Sequence, residues 1–329
     1  MASTSTKIIS TFPDQVSLGF DQKIPDFPFN IKDIENIVVC GMGGSAMAGE
    51  FLKRFYPLNI HKSYNLPTQF INKKTLVVCL SYSGNTEETL SAYSLAVEKK
   101  LPLVVISSGG LIKDKANTDN IPFIEIRSKG IEPRMSVVEQ ICLLKNLLST
   151  LKIKDILVDS FNIDKENIDL NKFLPIVNET ADLLVNKVPI IYASSDNTAS
   201  AVYWKAMFNE NAKVPAFWNV FPEVNHNELM QGVGIDWPEK FHVINIIDEN
   251  DHPRIQKRMK FTGDIFKRKG FGVSTIKLEG DSSLEKIINS ITLGNLTSIS
   301  LAEKLGLDPI DPDVREEFKK EMRSVEHEA

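Results

Sequence analysis

Short apolar runs recur along the chain, each followed by a longer polar segment with helical spacing. "NIVVC" (36–40) leads into "GMGGSAMAGEFLKRFY", "TLVVCL" (75–80) into "SYSGNTEETLSAYSLAVEKK", and "LPLVVIS" (101–107) into "SGGLIKDKAN". The runs are continuous rather than alternating, as expected of parallel strands buried on both faces. "MSVVEQICLLKNLLSTL" (135–151) has apolar positions at helical spacing and closes the first half, and a polar, acidic stretch follows. The pattern then restarts with "VPIIYAS" (188–194), "FHVINII" (241–247) and "GVSTIKLEG" (272–280). Setting Val38 against Ile190 gives an offset of 152 residues and the same order of elements. The pattern therefore predicts an α/β protein of two similar units, each a parallel sheet flanked by helices. An arm (1–30), a first unit (31–152), a connector (153–170) and a second unit (171–329) follow from it. "IPDFPFN" suggests that the arm is extended with aromatic anchors, while "PAFWNVFPEVN" reads as an uninformative link. One large continuous sheet is the alternative.

Composition narrows the function classes. The chain has 329 residues and a net charge of −5, so it offers no basic face for nucleic acid. No apolar run approaches the roughly 18 residues of a membrane span, and "MASTSTKIISTF" lacks the apolar core of a signal peptide. Cys40, Cys79 and Cys142 form an odd set without CxxC spacing and read as buried free thiols. A cytoplasmic protein with no membrane partner is the expectation.

Candidate chemistry gathers where the first strands end. Ser81, Ser83, Gly84 and Thr86 follow one apolar run; Gly43, Gly44 and Ser45 follow another; "ISSGG" (106–110) walls the same side. A helix beginning at a parallel strand's carboxyl end offers unpaired N–H groups and the positive end of its dipole, which suit an anion. Asn85 and Glu88 resemble a capping pair. Serine and threonine at one such turn are most simply helix caps, but two hydroxyl-rich turns in one unit favour an anion site. Gly41-x-Gly43-x-x-Ala46 meets the dinucleotide fingerprint, yet "LNIHKSYN" (58–65) lacks the acidic residue that ribose would need, and no GxxxxGK[ST] occurs. A terminal phosphate shared among hydroxyls and backbone amides fits better.

At these residues the sequence resembles the sugar isomerase (SIS) fold. "GMGGSA", "SYSGNTEET", "ISSGG", "EPR" (132–134), "FNENAK" (208–213), "PEVNHNEL" (222–229) and "LAEKLGLDP" (301–309) together are similar to the bifunctional phosphoglucose/phosphomannose isomerase family. The resemblance runs from about residue 30 to about 325. It implies two SIS-type, flavodoxin-like subdomains and an aldose–ketose isomerase of carbohydrate metabolism (glycolysis, gluconeogenesis). Glucose 6-phosphate and mannose 6-phosphate would be interconverted with fructose 6-phosphate, without cofactor. Gly43, Gly44, Ser45, Ser81, Ser83 and Thr86 would hold the phosphate, and Arg134 would lie beside C1–C2. Glu210 would be the base, His226 and Lys304 would assist ring opening, and Thr297 would line the pocket where the epimers differ. His226 would come from the neighbouring subunit, implying a homodimer.

The chemistry is consistent with those residue types. Moving a proton between C1 and C2 through a cis-enediol(ate) needs one carboxylate, an acid/base pair for the ring, and positive charge near the oxyanion. Taken without the resemblance, Glu210, Arg134, Lys304 and Thr297 read as ordinary helix-end, capping, exposed and backbone-bonding residues. Glu223-x-x-His226-x-Glu228 offers three possible metal ligands, but His61, His242, His252 and His327 form no cluster with them, so no metal is expected. A non-catalytic SIS sugar-phosphate sensor, an SIS aminosugar-phosphate enzyme and a dinucleotide oxidoreductase are the competing readings.

Overall fold

The computed structural model describes residues 7, 9–69, 71–153, 168–231, 234–310, 314, 317–318 and 321–322. In chain order the elements are α1 (Phe12–Phe20), β1 (Asn36–Cys40), α2 (Gly43–Leu52), β2 (Leu58–His61), β3 (Thr75–Ser81), α3 (Glu87–Glu98), β4 (Leu103–Ser107), α4 (Gly110–Thr118), β5 (Phe123–Glu125) and α5 (Val137–Thr150). The second unit comprises α6 (Leu174–Leu184), β6 (Val188–Ser194), α7 (Thr198–Glu210), β7 (Phe217–Phe221), α8 (Val224–Asn227), β8 (Phe241–Ile247), α9 (Pro253–Arg268), β9 (Gly272–Lys277) and α10 (Ser283–Lys304).

Every strand pairing is parallel, in the orders β2-β1-β3-β4-β5 and β7-β6-β8-β9. The second sheet repeats the first without its fifth strand. Val38 lies opposite Val77 and Ile190 opposite Val243, so the residues aligned by the offset of 152 occupy matching central strands. In both sheets the order reverses between the first and third strands of the unit, which leaves a crevice at their carboxyl ends.

Alternation along the strands explains the continuous apolar runs. Val38, Cys40, Val77, Cys79 and Val105 face outward under Ala92 and Tyr93 of α3 and Ile112 of α4. Val39, Val78 and Val104 face inward, into a core shared with Met47 (α2), Ile141 (α5), Trp204 (α7), Ile291 (α10) and the inner face of the second sheet, Ile191 and Ile244. Both faces are therefore dry, and no polar period remains to be seen. The two units are fused through that common core. Within it α7 and α10 approach closely: a β-carbon on Gly294 would stand 3.0 Å from the Trp204 ring, whose Nε1 donates to the Ser290 carbonyl at 3.0 Å.

Two local expectations change. Residues 12–20 of the arm form a helix against α5, and the segment after residue 20 is irregular, with Phe27 and Phe29 stacked at 5.2 Å. Gln15 Nε2 donates to the Met135 carbonyl at 2.9 Å, and a β-carbon on Gly19 would lie 2.4 Å from Cys142 Cβ. "PAFWNVF" is a strand rather than a link: β7 is the edge of the second sheet, with Phe217 and Trp218 exposed. The connector expected at 153–170 falls mostly outside the described residues.

Candidate active site

Two helices begin side by side at the tips of β1 and β3. Met42 precedes α2 and Thr86 precedes α3, and neither side chain caps its helix. No side-chain cap therefore competes with a ligand at either helix start, although Ser45 N already donates to the Met42 carbonyl at 3.0 Å. Gly43 has φ +48° and nothing within 4 Å of where a side chain would be. Ser45 is buried, and its Oγ accepts from Tyr82 N at 3.1 Å, tying the first turn to the second. In the second turn Ser81 Oγ and Thr86 Oγ1 are 2.9 Å apart, Gly84 N donates to Ser81 Oγ at 3.1 Å, and Ser83 is exposed. The third turn closes on the second. Ile112 N donates to Gly84 O at 3.0 Å and Ser108 Oγ to Tyr82 O at 2.6 Å. Asn85 does not pair with Glu88; its Oδ1 accepts from Leu111 N at 2.9 Å and so serves the start of α4. The six expected phosphate residues, Gly43, Gly44, Ser45, Ser81, Ser83 and Thr86, are brought together.

Arg134 stands against this junction in a short 3-10 turn, Pro133–Met135, and is almost fully buried. A β-carbon on Gly44 would lie 3.1 Å from both Arg134 Cα and Pro133 O, so a side chain there would press the two backbones apart. Arg134 Nε donates to Asn211 Oδ1 (2.7 Å), Nη1 to Glu132 Oε2 (2.7 Å) and Nη2 to the Pro309 carbonyl (2.9 Å). Nη1 also lies 3.6 Å from Glu210 Oε2. Glu210 is the last residue of α7 and its side chain is one-third exposed, so it faces the first unit's Arg134 rather than entering the second unit's crevice. Tyr203, on the same helix, donates to the Arg134 carbonyl at 3.0 Å and accepts from Asn295 Nδ2 at 2.7 Å. Burial drives the Tyr203 phenol far above its ordinary pKa, so it stays a neutral donor.

Within one chain the remaining expected residues lie elsewhere. His226 is exposed on α8, beyond the carboxyl end of β7, whereas Glu210 precedes that strand. Glu228 does not cap His226: its carboxylate turns inward, accepting from Tyr192, Asn219 and Gln231. Glu223 accepts from Asn227 Nδ2 at 2.9 Å. Thr297 and Lys304, seven residues apart, share one stripe of α10. That stripe is turned toward α6, where Lys304 pairs with Asp182 and the intervening Ser300 Oγ is 3.4 Å from Asn178 Oδ1. Thr297 is buried, and its hydroxyl has no hydrogen-bond partner among the described residues. Ser298, about 100° round the helix, reaches the Arg134 side chain through Asn211, as Asn295 reaches the Arg134 carbonyl through Tyr203.

The second unit's own crevice, at the tips of β6 and β8, carries different chemistry. Lys286 pairs with Asp248 at 2.8 Å and Glu249 at 3.0 Å, and Arg54 Nη1 donates to Asn197 Oδ1 at 3.3 Å beside a cavity of about 370 Å³. Charges of both signs there replace the uncharged donors of the first unit, so duplication of the fold did not duplicate the phosphate turns.

Comparison with known proteins agrees with this architecture. Residues 177–322 match the bacterial phospho-glucose isomerase C-terminal SIS domain. A bifunctional phosphoglucose/phosphomannose isomerase of Caldicellulosiruptor bescii is 35% identical over 323 residues, covering 92% of this chain and 94% of that protein. A D-glucosamine-6-phosphate 4-epimerase of Sulfolobus acidocaldarius is 34% identical over 216 residues, 62% of this chain and 66% of that one. Among solved structures, tagatose-6-phosphate ketose/aldose isomerase from Escherichia coli superposes with a TM-score of 0.68 at 14% identity, over 94% of this chain and 95% of that one.

Proposed function

The chain belongs to the bifunctional phosphoglucose/phosphomannose isomerase family, and on that premise we propose that it interconverts glucose 6-phosphate and mannose 6-phosphate with fructose 6-phosphate. The phosphoryl group is held by the open helix starts and hydroxyls at Gly43–Ser45 and Ser81–Thr86. The sugar carbons extend toward Arg134 and Glu210. Glu210 takes the C2 proton of the aldose and returns it at C1, through a cis-enediol(ate) whose developing charge Arg134 offsets without exchanging a proton itself. One base serves both aldoses when rotation about C2–C3 of the enediol presents either face to it.

The observation that carries this reading is the contact between two otherwise separate features. The phosphate turn meets Arg134 at Gly44, and Arg134 meets Glu210 at 3.6 Å. Ring opening needs a proton donor on the other side of the sugar. His226 follows β7 and Glu210 precedes it, with the five residues of that strand, roughly 16 Å of extended chain, between them, which favours a donor from a second subunit. A homodimer in which the partner subunit's His226 enters the site meets that need. Lys304 assists only after leaving Asp182, and Thr297 acts on epimer choice through the packing of α10 against α6.

A coupled assay with glucose 6-phosphate, mannose 6-phosphate and fructose 6-phosphate, with and without chelator, tests the activity. Glu210→Gln is expected to fold, to bind sugar phosphate and to lose both isomerisations together, by about a thousandfold or more. Retained turnover in that variant would remove Glu210 from the role. The partial likeness to the 4-epimerase favours a second reading, an aminosugar phosphate substrate. Turnover of glucosamine 6-phosphate in preference to the neutral hexoses would decide for it.

A further inference from the structure

Arg134 carries five N–H donors, and three of them are committed to the protein: Nε to Asn211, one on Nη1 to Glu132, and one on Nη2 to the Pro309 carbonyl. Two donors are left for Glu210 and a substrate. Which way those two point depends entirely on the plane of the guanidinium, and that plane is fixed by the three bonds in use. Glu132 is only two residues away on the same turn and moves with Arg134. Pro309 belongs to the segment that follows α10. Asn211 is the contact from the catalytic helix: it adjoins Glu210 at the end of α7, is fully buried, and bonds across 77 residues of sequence to Nε.

Asn211 is itself held. Its Nδ2 donates to Ser298 Oγ at 2.9 Å, and that hydroxyl donates onward to the Gly294 carbonyl at 2.8 Å. A flipped amide would present NH₂ to a guanidinium, donor against donor, so the amide orientation is fixed by chemistry. The result is a rigid chain from the backbone of α10, through Ser298 and Asn211, to Arg134.

Resting on the isomerase reading above, we propose that Asn211 is the positioning residue of this site, anchored by Ser298. It sets the guanidinium plane of Arg134 relative to Glu210 and so governs turnover rather than phosphate affinity. The hydrogen bonds of Asn211 run to Arg134, Ser298 and its own helix rather than to the phosphate turns, so its loss is expected to leave phosphate binding in place. Misaiming a charged donor at a developing oxyanion costs the transition state more than the ground state.

The test measures kcat and KM for glucose 6-phosphate and mannose 6-phosphate in wild type, Asn211→Ala, Asn211→Asp and Ser298→Ala, with a thermal melt of each. Asn211→Ala is expected to lower kcat for both sugars on the order of 10–100-fold, the worth of one charge-assisted hydrogen bond, with KM changed less than about threefold. Asn211→Asp keeps an acceptor for Nε and is expected to recover most of that loss; Ser298→Ala falls between. Wild-type kcat in Asn211→Ala overturns the proposal, as does an equal loss in the Ala and Asp variants, which would mark Asn211 as packing alone. Should Asn211→Ala fail to fold, Ser298→Ala decides: unchanged kcat overturns the anchor. A wild-type chain that turns over none of the three hexose phosphates overturns the functional reading, and this inference with it, before any variant is compared.

Discussion

His242 shows how one side chain can couple the fold to pH without touching the site. It lies on β8 against Gly272, where a β-carbon would stand 2.4 Å from its Nδ1, and its Nε2 is 3.1 Å from Ser274 Oγ. Burial, aided by the nearby Lys187, pushes the imidazole down to about 4. Above pH 6.5 both folded and unfolded chains hold it neutral, and it does not bias folding. As pH falls below 6.5 the unfolded chain binds a proton that the folded chain refuses, so stability drops until pH passes the folded value. Between pH 7 and pH 5 this contributes about 2 kcal/mol of destabilisation. Denaturant unfolding should therefore show wild type losing about that much more stability over this interval than His242→Gln. Parallel pH profiles for the two proteins would place the sensitivity elsewhere. The three cysteines are similarly shaped by burial, which pushes the Cys40 thiol up to about 12 and those of Cys79 and Cys142 well above their ordinary value.

At the scale of elements, the proposed phosphate site is three turns interlocked through glycine. Gly84 has φ +70°, and a β-carbon there would fall 1.8 Å from the Gly109 carbonyl; the same addition at Gly110, φ +72°, would fall 2.3 Å from Ser83 O. Gly84→Ala must therefore both strain its own backbone and push the Ser107–Gly110 turn away from Ser81–Thr86. A rise in KM of about tenfold or more for all three hexose phosphates is expected, because roughly 1.4 kcal/mol of lost phosphate binding suffices for it. An unchanged KM would detach these turns from the phosphate. The turns were legible in the sequence because glycine and hydroxyls at a strand end have few other uses together, and the central strands were legible because both their faces are buried. β7 was not: it is an edge strand with Phe217 58% exposed, broken by Asn219 and bounded by Pro215 and Pro222. β5 is too short, at three residues, to show any period. Glu210 was visible only through family resemblance, since what distinguishes it from a solvated helix end is Arg134, on the other unit. Asn211 escaped for the same reason, and its only sequence mark is its place beside Glu210.

At the scale of the whole molecule, the proposed site draws on groups that the fold places apart in one chain. Sheet one and sheet two share a single interior through α2, α5, α7 and α10, while Glu210 and His226 both belong to the second unit, where β7 lies between them in the chain. In the proposed twofold dimer, each site would combine Glu210 of one subunit with the partner subunit's His226. This arrangement makes a complementation experiment decisive. Glu210→Gln and His226→Ala homodimers each lack one group at both sites and should be nearly inactive. Unfolded together and refolded, or coexpressed, they yield about half mixed dimers by random pairing. One site of each mixed dimer carries both lesions and the other carries neither. The mixture should then recover about a quarter of wild-type kcat, with wild-type KM because the intact site is unaltered. If both groups came from a single subunit, each site of the mixed dimer would retain one lesion, and the activity would not exceed the mean of the two parents. Recovery near a quarter, absent when the pre-formed homodimers are combined without exchange, requires a composite site; no recovery after verified exchange removes His226 of the partner subunit from the chemistry.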